Sequence, residues 1–353
     1  MSASLSLQGR KAGAVRSPKI SLRDFASWDT GLGIITLIAL LLAVVFVPRF
    51  ATSFNLSQAI ALVSEKALIV LPMALLMIVR EIDLSVASIL ALTSCILGVL
   101  LQSGWPLMDA IPVVLLAGAL CGALNGWLVT RLGLASLLVT LGTMGLYRGL
   151  GYVLLGADSV NELPDALTDF GIAPLFTAAI PQTILPFLIL APIFAIVLHR
   201  TAIGRRIYAI GGSPEVARYS GIRSDRLRLW LFTLSGLVCA IAGIVFTARL
   251  SNARANNAQG FELEIITMAL LGGISVFGGR GRLSGGIWAV ILVALLRDVL
   301  GLEGVGGNAQ GISIGLLLIL SLLLGGVFQT RLDAARRRAP PPPPEVVLPE
   351  PAS

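Results

Sequence analysis

The stretch AIALVSEKALIVLPMALLMIVR, residues 59–80, carries the reading that decides the fold. It is mostly apolar up to Val79, with Lys66 among the polar residues falling inside the run, and it ends on Arg80. A helix crossing about 30 Å of hydrocarbon needs roughly 20 mostly apolar residues. This run supplies them, and the pattern recurs along the chain. Spans are predicted over residues 31–47, 59–79, 84–101, 110–129, 133–155, 180–198, 229–248, 262–277, 283–300 and 311–328. The eighth is short and rich in glycine, as a re-entrant element or a broken helix would be. With 56% hydrophobic and 13% charged residues and a mean hydropathy of +0.90, the chain lacks the polar surface a soluble domain must build. The expected fold is an all-α polytopic membrane protein of about ten transmembrane helices, a count compatible with a five-plus-five inverted repeat.

Lys and Arg in the short loops set the orientation. With the N-terminus in the cytoplasm, the inside segments collect Arg10, Lys11, Arg16, Lys19 and Arg23, then Arg80, then Arg131. They also collect Arg200, Arg205, Arg206, Arg218, Arg223, Arg226 and Arg228, followed by Arg280, Arg282, Arg331 and the arginines at 336–338. Outside loops hold only Arg49, Arg249 and Arg254, while Lys66, Arg148 and Arg297 fall within spans. A shift by one span would break this alternation, so both termini are expected in the cytoplasm. The net charge of +7 then follows from orientation, and no nucleic-acid partner is expected. Residues 1–30 read as a cytoplasmic segment, 31–328 as the transmembrane domain, and 329–353 as a cytoplasmic tail, extended and solvated around the prolines at 340–344. Cys95, Cys121 and Cys239 lie in apolar runs without pairing or metal-ligand spacing. His199 is the sole histidine. Neither a metal site, a cofactor nor enzymatic catalysis is expected.

The polar stretch HRTAIGRRIYAIGGSPEVARYSGIRSDRLR, residues 199–228, is too long for a simple turn. Ser213 is placed as an N-cap, Pro214 at the first helical position and Glu215 in the first turn, with Gly221 where a left-handed cap would fall. A short helix over 214–220 is predicted on the cytoplasmic face. It either joins two spans or docks a cytoplasmic partner. Acids at the start of EIDLSVAS, residues 81–88, either favour a helix dipole or take part with Ser85 in a cytoplasmic gate; Asp83 is the candidate. Gly118, Gly122 and Gly126 recur every fourth residue, a face on which helix backbones approach closely, within one subunit or at a dimer seam. Asn125 beside that face could bond across helices or to a ligand hydroxyl, and Arg148 in the fifth span could meet buried partners or line a wet pathway. The stretch GGISVFGGRGRLSGG, residues 272–286, lacks the order of a phosphate loop and reads as a tight cytoplasmic turn. The outside loop 156–179 is long and acidic through Asp158, Glu162, Asp165 and Asp169.

Three stretches in this order, EIDLSVAS (81–88), GRRIYAIGGSPEVARYSGI (204–222) and ELEIITMALLGGISVFGGRG (262–281), resemble the membrane permease subunits of bacterial ABC importers for monosaccharides, of the ribose, rhamnose and autoinducer-2 type. The resemblance covers roughly residues 30–328; Glu81 and Ala87 depart from the usual pattern. It implies an inner-membrane subunit that neither binds nor hydrolyses nucleotide. Its implied partners are cytoplasmic ABC ATPase subunits, a second permease subunit, identical or paralogous, and a periplasmic sugar-binding protein. It also implies that 214–220 is the ATPase-coupling helix, with Gly204, Arg205, Gly211, Gly212, Ser213, Pro214, Glu215, Ala217, Arg218 and Gly221 forming the helix and its flanks. A pentose or deoxyhexose, rhamnose first, is the expected cargo. The rival reading is an ion-coupled secondary sugar carrier acting without an ATPase; a polytopic membrane enzyme ranks last, for want of a nucleophile or metal constellation.

Overall fold

A computed structural model describes residues 28–307, 309–313, 315–316 and 319. The helices are α1 Trp28–Phe46, α2 Ser53–Ile78, α3 Val86–Gln102, α4 Leu107–Arg131, α5 Ser136–Leu155, α6 Asp165–Ile172, α7 Leu185–Arg200, α8 Ala202–Gly212, α9 Pro214–Tyr219, α10 Ser224–Leu250, α11 Phe261–Leu271 and α12 Leu283–Leu302. A 3-10 turn, Gln182–Ile184, leads into α7 and extends it to spanning length. Among the described residues, seven helices are long and apolar enough to cross a membrane, and α3 is a shorter apolar one.

The predicted tenth span, 311–328, lies largely outside the described residues, as do most of the N-terminal segment and the whole of the tail from 329. The first helix starts at Trp28, slightly ahead of the boundary expected at 30.

Helix α2 forms the centre: every residue from Ser64 to Ile78 is buried. A helix that is apolar all round belongs inside a bundle. It lies against α10, α12, α11 and α7, while α10 also packs on α3 and α4 and α1 covers α12. The outer faces of α4, α5 and α7 expose Leu116, Leu120, Leu138, Val153, Ile189 and Ile196, the side chains a lipid environment would cover.

The eighth span is half a span. Helix α11 has 11 residues, about 16 Å of rise, and its first turn meets the middle of α2 at Lys66. The outer half of that crossing is irregular backbone between α10 and α11. Such backbone survives at membrane depth only where protein buries it and supplies its hydrogen bonds. Here Ala253, Ala255 and Ala258 are buried. Ala253 exchanges backbone hydrogen bonds with Val160 at 2.9 and 3.0 Å. Arg148 of α5 donates to the carbonyls of Ala255 and Asn257 at 2.7 and 2.6 Å.

Candidate functional site

Helix α9 is built by local chemistry. The Ser213 hydroxyl accepts the Val216 amide at 3.3 Å, Pro214 opens the helix, and Gly221 lies at φ +76° beyond its end. Ala217 is buried beneath it, whereas Glu215, Val216, Arg218 and Tyr219 are exposed. Tyr219, 92% exposed, is the most prominent apolar surface of the helix.

Helix α8 precedes it and was not foreseen. Thr201, whose side chain accepts the amides of Ile203 and Gly204, was the available signal. Gly204 and Gly211 are there for space: a β-carbon would sit 1.8 Å from the Leu198 carbonyl oxygen at the first and 1.8 Å from that of Ile78 at the second.

The base of this helix pair is gripped by the turn that follows α2. Arg80, itself at φ +69°, in backbone territory normally left to glycine, donates to the Gly211 carbonyl at 2.8 Å and to that of Gly212 at 2.9 Å. The Gly279 amide donates to the Ile78 carbonyl at 2.8 Å, and Tyr208 donates to the Gly281 carbonyl at 2.6 Å. The glycine-rich turn after α11 thus closes the same junction. Next to it, Glu81 pairs with Arg228 at 3.2 Å, tying the turn to the start of α10. Burial pushes the Glu81 carboxyl up, opposed by its bond to Ser136 and by the Arg228 charge.

Three residues beyond Arg80 the linker enters a buried polar network. Asp83 accepts the Ser85 amide at 3.0 Å, the Ser85 hydroxyl at 2.6 Å and the Ser235 hydroxyl of α10 at 3.2 Å. Asn125 of α4 donates to Ser85 at 2.8 Å, and the Tyr147 hydroxyl of α5 lies 3.0 Å from the Asn125 side-chain oxygen. Thus Asp83, Ser85 and Asn125 are brought together, whereas Arg148 of α5 stands apart, bound to the backbone of the loop between α10 and α11. Gly118, Gly122 and Gly126 face α10 of the same chain. Asp83→Leu removes the acceptor that both serines use, so it is expected to cost about 1–3 kcal/mol. Thermal unfolding of the purified variant measures this; unfolding at the native temperature would show that the network holds nothing together.

Deeper in the bundle lies a charged cluster that the apolar pattern conceals. Lys66 pairs with Glu264 of α11 at 2.9 Å, and Glu264 also pairs with Arg297 of α12. Glu65 pairs with Arg249 at 2.7 Å. The Lys66 ammonium stands 4.1 Å from the centre of the Phe261 ring, which meets Phe246 edge-on at 5.7 Å. Charges at this depth are costly unless paired; the two Glu264 pairs fasten the half-helix to α2 and α12, while Glu65 and Arg249 tie α2 to α10. Asp298 accepts from Asn55 at 2.7 Å.

The arrangement is a chain of rigid connections: exposed α9, the α8 end, Arg80, the Asp83 linker, then α4, α5 and α10. Asp158, Glu162, Asp165 and Asp169 are exposed on the opposite side, the last two on α6.

The family described as the permease component of branched-chain amino acid transport systems matches residues 55–322. The chain is 34% identical over 299 residues to the Autoinducer 2 import system permease protein LsrD of Photorhabdus luminescens, covering 82% of this chain and 89% of that protein. The protein of the same name from Yersinia enterocolitica is 35% identical over 259 residues, 72% of this chain and 78% of that one. That from Salmonella paratyphi A is 32% identical over 303 residues, 83% and 90% of the two chains. No solved structure matches the chain.

Proposed function

Given that the chain belongs to the family of branched-chain amino acid transport permease components, and so is a multi-pass inner-membrane permease subunit of an ABC sugar importer rather than an enzyme, we propose that it carries autoinducer 2 or a closely related monosaccharide-sized polyol. The relatives above are named for autoinducer 2. Rhamnose has no such support and gives way to it. Residues 31–328 are the permease domain in this reading, which the family match at 55–322 supports. A second permease subunit, identical or paralogous, completes the pathway.

The observation that carries the reading is the exposed, capped α9 whose base is gripped through Arg80. A cytoplasmic ATPase that holds α9 and closes on ATP moves α8, and Arg80 passes the motion to the Asp83 linker. The acidic outer loop, with α6, is the contact for the binding protein. In proteoliposomes holding this chain, its ATPase subunits and its binding protein, ATP-dependent uptake of autoinducer 2 is expected and uptake of rhamnose is not. Uptake driven by an ion gradient without the ATPase would instead establish the secondary carrier.

Reversal of charge in the α9 side chains tests the coupling. Glu215→Arg combined with Arg218→Glu is expected to cut uptake at least tenfold while ATP hydrolysis persists. Tyr219→Ala is expected to weaken retention of the ATPase subunits on affinity purification. Unchanged uptake and retention in both would remove α9 from the coupling path.

A further inference from the structure

Between α7 and α8 on one side and α10 on the other, the structure has a groove of about 820 Å³ at the cytoplasmic end of the bundle. Its lip carries Arg206 of α8 with Arg223 and Arg226 at the start of α10, all exposed. No ion pair joins these three guanidinium groups to a carboxylate among the described residues. The nearby acid, Asp225, is absent from this lining; it lines the neighbouring cavity with Arg131 and Arg218, and Arg223 and Arg226 border both cavities. Below the lip the wall turns apolar, through Val197, Leu231 and Leu234, with Leu75 of α2 at the back. Trp230 stands at the opening, 71% exposed.

We propose that this groove binds an anionic phospholipid of the inner leaflet, its phosphate held by Arg206, Arg223 and Arg226 and one acyl chain laid along the apolar wall. Depth and chemistry agree with that occupant. Arg226 and Leu234 are separated by eight residues of one helix, about 12 Å of rise, close to one leaflet of a hydrocarbon core about 30 Å thick. Arginine supplies a planar fork of donors suited to phosphate. Tryptophan prefers the headgroup level, and basic pockets between spans on the cytoplasmic side are suited to anionic headgroups. A protein segment of acidic character would satisfy the arginines, but it would leave the apolar wall to be filled from the membrane side. Since Ser220 and Gly221 also line the groove, the bound lipid would brace the connection from α9 to α10.

The test uses the full chain in detergent micelles, with bound lipid read by native mass spectrometry. Phosphatidylglycerol is expected to bind at least tenfold more tightly than phosphatidylcholine of the same acyl chains, and glycerol phosphate alone to bind weakly because the wall stays empty. Arg206→Gln, Arg223→Gln and Arg226→Gln together are expected to abolish the preference, whereas the triple Lys variant keeps most of it. Arg200→Gln, on the same face but outside the lining, is expected to change nothing. Equal binding of the two lipids by the native chain overturns the proposal. So does a triple Gln variant that retains phosphatidylglycerol but no longer holds the ATPase subunits, which would assign the groove to a protein partner. Tight binding of glycerol phosphate alone would overturn the acyl-chain part and leave a simple phosphate site in its place.

Discussion

Glu264→Gln is expected to lower the unfolding temperature of the purified chain by roughly 5–15 °C, the largest loss for any single change of charge in the bundle. The native carboxylate serves two cations at once, Lys66 at 2.9 Å and Arg297 on the other side. Lys66 is only 2% exposed and Arg297 20% exposed, so neither can recover much hydration when the carboxylate goes. The amide keeps the shape and removes the charge, leaving two like charges facing each other at membrane depth. Breaking a buried pair from one side costs about 3–5 kcal/mol, and the mutual repulsion of the survivors adds to that. The cost falls on α11, whose short length gives it few other anchors.

A second variant separates this account from simple misfolding. Lys66→Met combined with Glu264→Gln removes one cation along with the carboxylate, so it is expected to lose less than the two single changes added together. Residues of one ionic network typically show couplings of about 0.5–3 kcal/mol. Additive losses, or a Glu264→Gln protein that melts within about 1 °C of the native one, would show that the cluster is not a fastening.

What the sequence revealed divides along the range of the forces involved. Helix α9 was legible because its signals are local: a capping serine, a proline that opens the helix and a glycine beyond its end act within a few residues. The arginine asymmetry was legible because each short loop reports its side independently. The pairing of Glu65 with Arg249 was hidden because the partners are 184 residues apart, and inside an apolar run a lone carboxylate and its neighbouring lysine barely alter the pattern. Glycine richness marked the eighth span as irregular, and its start at 262 was read to within one residue, but only the position of Glu264 against the middle of α2 shows how deep in the bundle that helix begins. Helix α6 was missed inside a loop read for its acids, although Pro164 followed by Asp165 marks its start. For Gly211, the need for glycine comes from the Ile78 carbonyl on another helix, which no local pattern encodes.

Gly122→Val is expected to prevent α4 from seating on α10 and so to abolish uptake. A β-carbon built at Gly122 would stand 2.1 Å from the Phe232 carbonyl oxygen, and one at Gly118 would stand 2.5 Å from that of Gly236. Both obstacles are backbone atoms of a helix, which cannot rotate away as a side chain can. The helices must separate, and overpacking of a well-filled contact costs about 1–3 kcal/mol or more even when the neighbours can shift. Separation also reaches the polar network, because Asn125 lies on the same helix as Gly122 and its 2.8 Å bond to Ser85 holds the Asp83 linker in place. The packing stripe and the coupling route therefore fail together. Gly142→Ala in α5 is the informative contrast, since a β-carbon there meets nothing within 4 Å and the helix gains up to about 1 kcal/mol from losing a glycine. Unfolding temperatures should move in opposite directions for Gly122→Ala and Gly142→Ala. If both rose alike, the close crossing of α4 and α10 would not exist, and the link from their seam to the Asp83 network would fall with it.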